Sequence, residues 1–320
     1  MRVLVTGSSG WLGRFLCPAL RAAGHEPYGL DVAPGPHTDE VGTVADAALV
    51  RRLFAAHAFG AVLHAAALHK PDIARYPAQA FVDVNVTGTL NLLDAAAARP
   101  GTRFVFTSTT SLMISQAIRE ERGAAAVWLD EDSGPLAPRN IYGVTKLAAE
   151  GLCRQHALEH GVPCIVLRTA RFFPEADDTN DSVPGPNLKA NELLYRRAAV
   201  RDMAAAHLCA LDHAERLGFG LYLVSAPTPF TPDDAVRLTH DAASVIVERF
   251  PDAPVLYAAK GWTLPAAIGR VYDGTRITRD LGFRYETRFA DVLDALREGR
   301  PPPIEDDPSY VSPAIGSGLI

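Results

Sequence analysis

Tyr142-Gly143-Val144-Thr145-Lys146 sets a phenol and an ammonium one helical turn apart, on the same face of a predicted helix. Lysine is scarce in this chain (Lys70, Lys146, Lys189 and Lys260), so the pairing is informative. A tyrosine ordinarily titrates near 10 and needs help to take a proton at neutral pH. A neighbouring ammonium gives that help by favouring the phenolate, and the pair then suits proton removal from an alcohol. Upstream, the apolar run Phe104-Val105-Phe106 ends in Thr107-Ser108-Thr109-Thr110-Ser111. One hydroxyl of this cluster can hold the same substrate oxygen as Tyr142, although such a run also fits a plain strand-end turn.

A second signal lies at the start of the chain. The apolar Val3-Leu4-Val5 leads into Thr6-Gly7-Ser8-Ser9-Gly10-Trp11-Leu12-Gly13. Glycines spaced three apart between a strand and a helix allow a tight turn, close approach of a pyrophosphate, and tight helix packing. The helix start adds unpaired N–H groups and a positive dipole end. Asp31 closes the next predicted strand, where an acid accepts from the adenosine ribose hydroxyls and repels a 2′-phosphate. Val32-Ala33-Pro34-Gly35 follows without an arginine, which favours NAD over NADP as the cofactor.

The elements that must position these groups alternate regularly. Arg2–Val5, Glu26–Leu30, Ala61–His64, Arg103–Thr107 and Pro163–Leu167 read as strands. Trp11–Ala23, Asp46–Ala58, Ala78–Ala98 and Tyr142–His160 read as helices. Strand and helix in this order predict an α/β fold, a Rossmann-type doubly wound parallel sheet. Residues 1–170 form the expected nucleotide-binding domain. Residues 174–190 are polar and turn-rich and read as a loop. Beyond it come a helix at Val200–Glu215, a strand at Gly220–Val224 and a helix at Pro232–Phe250. Residues 171–300 are thus expected to be a smaller C-terminal substrate lobe, with interleaved contributions to the sheet. Residues 301–320 read as a Pro/Gly/Ser-rich tail lying on the surface or on a partner subunit.

Composition sets the outer bounds. Of 320 residues, 48% are hydrophobic and 21% charged, and 31 Lys+Arg against 37 Asp+Glu leave a formal charge of −6. That balance excludes disorder and gives no general attraction to nucleic acid or to anionic lipid. No apolar run is long enough to span a bilayer, and no secretory leader is visible, so a cytoplasmic location is expected. Cys17, Cys153, Cys164 and Cys209 are scattered and read as reduced, buried thiols. His156-Ala157-Leu158-Glu159-His160 has the spacing of one zinc-protease motif, but its place on a helix outside the sheet argues against a metal, and none is expected.

Taken together, Val5–Gly13, Val62-Leu63-His64-Ala65-Ala66-Ala67, Asn85-Val86-Thr87-Gly88-Thr89, Thr107-Ser108-Thr109, and Asp130-Glu131-Asp132 through Tyr142–Lys146 resemble an extended short-chain dehydrogenase/reductase of the NAD-dependent epimerase/dehydratase family. A weaker likeness runs through Arg196-Arg197, Asp202, Ala206-His207-Leu208 and Asp280-Leu281-Gly282-Phe283. The resemblance implies Thr109, Tyr142 and Lys146 as the catalytic trio. It also implies Gly7, Gly10, Trp11, Leu12, Gly13, Asp31, Ala65, Ala66, Ala67, Asn85 and Ala170 near the cofactor, with Tyr142 and Lys146 reaching it as well. It implies a homodimer through the two long helices.

Departures from the family pattern narrow the reaction. Sugar 4,6-dehydratases of this family carry an Asp-Glu pair directly after the catalytic Thr, where this chain has Thr110 and Ser111, and decarboxylating relatives place a Glu at Ser111. Neither elimination nor decarboxylation is therefore expected. Epimerisation of a sugar or nucleotide sugar through a keto intermediate is the leading reading. One-way oxidation or reduction by the same trio is the alternative, and a non-catalytic nucleotide sensor is a third. The segment Phe173–Arg196 is short for enclosing a nucleotide, Leu167-Arg168-Thr169-Ala170 leads to Arg171 where such relatives have an asparagine, and Ile118–Trp128 looks inserted. His69, Lys70, Thr110, Arg171, Lys189, Arg196 and Arg197 are the candidate substrate contacts, suited to a small, sugar-like and anionic molecule.

Overall fold

Val3, Leu4 and Val5 in Arg2–Thr6 (β1) are all fully buried, an unbroken apolar run that only a strand covered on both faces can carry. The computed structural model describes residues 1–120, 123–175, 183–313 and 318. After β1 come Gly13–Ala22 (α1), Glu26–Asp31 (β2), Glu40–Val41 (β3), Ala47–Ala56 (α2), Phe59–His64 (β4), Ala78–Phe81 (α3) and Gly88–Ala97 (α4). Arg103–Thr109 (β5), Gln116–Glu120 (α5), Val127–Leu129 (β6), Ile141–His160 (α6) and Cys164–Thr169 (β7) follow. The second half contains Gly185–Glu192 (α7), Val200–Leu217 (α8), Phe219–Val224 (β8), Ala235–Leu238 (α9), Ala242–Arg249 (α10), Ala253–Ala258 (α11), Arg270–Tyr272 (β9), Thr275–Leu281 (α12) and Phe289–Arg297 (α13).

Seven strands form one parallel sheet in the order β3-β2-β1-β4-β5-β7-β8. Val3 and Val5 face a core shared with α1 and α8, while Leu4 faces a second core with α2, α4 and α6. This is the expected doubly wound arrangement, and it gathers the carboxyl ends of β1, β2, β4, β5 and β7 along one edge. Strand β6, within the inserted stretch, pairs in parallel with β9 in a separate two-stranded sheet. Residues 121–122 of that stretch lie outside the described residues.

Three elements differ from the sequence reading. The stretch read as a loop over 174–190 ends in α7, and 176–182 lie outside the described residues. Pro184-Gly185-Pro186, read as part of that loop, is a helix start, because a proline in the first turn gives up no hydrogen bond. The helix expected over Pro232–Phe250 is broken between α9 and α10. Backbone groups at the break pair with the 266–268 segment instead, Ile268 N–H to Leu238 O at 2.6 Å and Ala242 N–H to Ala266 O at 3.1 Å. The long helix 78–98 carries a π-helical turn at Val82–Thr87, so its two halves present different registers to the sheet.

Candidate active site

The glycine-rich turn is built by close contact. Gly7 has φ 75°, and a Cβ there would lie 2.8 Å from Ala66 N. A Cβ on Gly13 would come within 2.2 Å of Gly7 O, so α1 can approach β1 only through a glycine. Asp31 sits under the turn, its carboxylate accepting from Ser9 N–H at 2.9 Å and Ala33 N–H at 3.0 Å. Burial raises its pKa while those amides pull the other way. A cleft runs from Leu30, Asp31, Val32 and Gly42–Val44 past Gly7, Gly10, Trp11 and Leu12 to Ala65–Ala67, and ends at His69, Thr107, Phe172 and Phe173. The bare backbone cradle at one end and the acid of Asp31 beside it suit a dinucleotide.

Asn85, placed by the π-helical turn, is a brace for this cleft. Its amide accepts from Leu68 N–H at 2.9 Å and donates to Leu68 O at 3.1 Å and Thr145 Oγ1 at 3.1 Å. It thereby ties the Ala65–Leu68 turn to α6. His64 is fully buried, bonded through Nδ1 to Thr6 Oγ1 at 2.7 Å and through Nε2 to Thr89 Oγ1 at 3.0 Å, so it packs rather than reacts. Ala170 is buried at the end of β7, its N–H donating to Val224 O.

Next to the inner end of the cleft stand Thr109, Tyr142 and Lys146, each at most 8% exposed. Asn140 caps α6 by accepting from Gly143 N–H at 3.0 Å, which fixes where the helix, and so Tyr142, begins. Thr109 Oγ1 accepts from Ser111 N–H at 3.1 Å, and its hydroxyl stands beside the Tyr142 phenol and pulls that phenol's pKa down. The Tyr142 ring lies 6.0 Å from that of His69, which in turn packs 5.4 Å from Phe173. Burial lowers the His69 pKa to about 4, so the imidazole is neutral.

The electrostatics differ from the sequence expectation in one respect. Burial pushes Tyr142 up to about 12, only partly offset by Thr109. Burial likewise pulls Lys146 down to about 7. Its ammonium sits 4.2 Å from the centre of the Phe106 ring. A phenolate at neutral pH therefore needs further positive charge in the cleft beyond Lys146.

The candidate substrate cations are arranged otherwise than expected. Lys189 is buried and spends its ammonium on Asp306 and on Pro174 O. Arg197 donates to Phe173 O at 2.7 Å and pairs with buried Glu192. Arg171 and Arg196 approach the same carboxylate, at 3.5 Å and 2.8 Å. Glu192 is thus a hub that draws three guanidiniums inward and ties the 171–175 segment to α7. Thr110 is buried and points to Thr169 O at 3.4 Å, away from the cleft. Lys70 is exposed, at the start of a short helical turn beyond His69.

A buried network beneath the site escaped the sequence reading. Arg168 donates to both oxygens of Glu150, the shortest contact being 2.8 Å, and Ser108 Oγ donates to Glu150 at 2.5 Å. The network fixes β5 and β7 to α6 just below Thr109. Thr107 is held in a similar way by His207, whose Nε2 lies 2.8 Å from its hydroxyl. In α6, His156 is bonded to Asp94 at 3.0 Å and to Leu152 O, and no group of three metal-ligating side chains occurs among the described residues.

Residues 3–185 match the NAD dependent epimerase/dehydratase family. The chain belongs to that family. NAD is its cofactor, and the glycine turn, Asp31 and the Ala65–Ala67 turn are the groups suited to hold it. UDP-glucose 4-epimerase of Rhizobium meliloti (strain 1021) is 32% identical over 173 residues, 52% of this chain, and the match spans about half (50%) of that enzyme's length. GDP-6-deoxy-D-mannose reductase of Pseudomonas aeruginosa is 27% identical over 320 residues, covering 92% of this chain and 95% of the reductase. A short-chain dehydrogenase/reductase superfamily protein of Agrobacterium tumefaciens, solved with bound NAD, has a TM-score of 0.66 and 27% identity, over 93% of this chain and 98% of its own. Further family members matching the chain are named as an L-arabinose 1-dehydrogenase and a dTDP-glucose 4,6-dehydratase. The chain's relatives are therefore enzymes that include epimerases, reductases, dehydrogenases and dehydratases.

Proposed function

We propose that this enzyme is an NAD-dependent epimerase acting on a sugar or nucleotide sugar through a transient keto intermediate. The observation that carries the proposal is the buried grouping of Thr109 and Tyr142 with Lys146 one turn along α6. NAD⁺, when bound, supplies a hydride acceptor and a positive charge. Tyr142 takes the proton from the substrate hydroxyl, Thr109 holds the oxygen as it becomes a carbonyl, and Lys146 stabilises the phenolate. Rotation of the ketone within the site would let the hydride held by the cofactor return to the opposite side of the same carbon, so that no net redox change results. The expectation against elimination, drawn from Thr110 and Ser111, finds no support among the relatives, which include a dehydratase.

One observation favours a second reading, net oxidation or reduction of a free sugar. Lys189 and Arg197, two cations suited to a nucleotide diphosphate, are engaged within the protein. Incubation with UDP-sugars, with free aldoses and with sugar acids distinguishes the two. Interconversion of epimers without change at 340 nm supports epimerisation, whereas stoichiometric NADH formation overturns it. The enzyme is further proposed to be cytoplasmic and a homodimer. Helices α4 and α6 pack side by side, and Val144 and Leu158 of α6 are exposed. Light scattering that gives the mass of one chain at micromolar concentration contradicts the dimer.

A further inference from the structure

The segment after α13 does not leave the molecule; it runs back over the dinucleotide cleft. Ile304 packs against the main core. Asp306 pairs with buried Lys189, and Asp307 N–H donates to Pro174 O at 2.9 Å. Tyr310 meets Trp11 edge to face with ring centres 5.2 Å apart, and the Arg14 guanidinium lies 5.9 Å from the Tyr310 ring. Ser312 lines the cleft together with Gly7, Gly10 and Asp31.

We propose that residues 304–312 form a fourth wall of the NAD site, with Tyr310 supplying a hydroxyl to the cofactor's pyrophosphate and the segment slowing cofactor exchange. The Trp11 amide lies in the glycine turn two residues before α1, and it pulls against the rise in the Tyr310 pKa. A phosphate accepted by that turn meets the phenol as an additional donor. Burial holds the phenol pKa up, at about 12, so it keeps its proton at neutral pH. The anchor pair Lys189–Asp306 is buried on the lysine side, which gives the segment a fixed hinge rather than a loose end. The inference rests on the dinucleotide site and is independent of which reaction the enzyme runs.

Stopped-flow release of NADH, chased by excess NAD⁺, is the test, read from tryptophan-to-nicotinamide energy transfer. Tyr310→Ala is expected to speed release at least tenfold and to weaken affinity in parallel. Tyr310→Phe, which keeps the packing on Trp11 but loses the donor, is expected to fall between. In the unaltered protein, hydrogen exchange of residues 304–312 is expected to slow when NADH is added, a readout that needs no variant to fold. Release from Tyr310→Ala within twofold of the unaltered protein, together with unchanged exchange at 304–312, overturns the proposal. Tighter binding by Tyr310→Ala also overturns it, since the segment is then a competitor for the phosphate turn.

Discussion

Lys146 Nζ lies over the Phe106 ring, 4.2 Å from its centre, within a fully covered part of the site. The aromatic face stabilises the ammonium by a cation–π contact, yet burial outweighs it and holds the pKa near 7. An unfolded lysine titrates near 10.4. Between about pH 7 and 10.4 the unfolded chain therefore binds the extra proton, and the lysine's effect on stability becomes more favourable as pH rises through that window. Urea unfolding at pH 7 and pH 9 should show the unaltered protein gaining about 1–3 kcal/mol relative to Lys146→Met. Below pH 7 the difference between the two should be flat.

Removal of the phenol oxygen separates chemistry from binding. Tyr142→Phe should lower turnover by a factor of about 10³ or more, the scale of losing a positioned acid–base group. NADH affinity, measured by fluorescence titration, should stay within about threefold, because the dinucleotide cleft is lined by other residues. An equal loss in both would place Tyr142 in cofactor binding instead.

Asp31 should govern the choice between NAD and NADP. Asp31→Ala removes the charge that repels a 2′-phosphate and also the acceptor for the Ser9 and Ala33 amides. NAD⁺ affinity should fall and the NAD-over-NADP preference should narrow by about tenfold, the cost of roughly one charge contact. Paired titrations with the two cofactors measure this directly.

Glu150 and Arg168 form a buried ion pair whose partners cannot be removed singly without leaving a charge behind. Arg168→Met should destabilise the fold by about 3–5 kcal/mol. The double variant Arg168→Met with Glu150→Leu should recover much of that loss, because no uncompensated charge remains. Thermal unfolding of the two variants and the unaltered protein checks both statements.

What the sequence discloses is governed by distance along the chain. The glycine turn, Asp31 and the Tyr142/Lys146 pair are local patterns, so their spacing alone announces a strand, a turn and a helix face. Glu192 is different. Its three arginine partners are nearby in number, but only the packing of residues 171–175 against α7 brings them to one carboxylate, and from spacing they read as substrate contacts. The Ser108–Glu150–Arg168 network joins two strands to a helix, a set no local window contains. Tyr142 teaches the same point in energy, because its surroundings and not its neighbour in sequence set its proton affinity.

The strand order also bears on how the chain is made. In the finished sheet β7 pairs with β5 on one side and β8 on the other, so a chain made only through β7 has no partner for one β7 edge. At about 5–20 residues per second, that edge stays bare for a few seconds of synthesis. An unpaired apolar strand is an adhesive surface for other nascent chains. The interval between β7 and β8 is then the period when a trailing chaperone is most needed, and slow codons within it would lengthen the exposure.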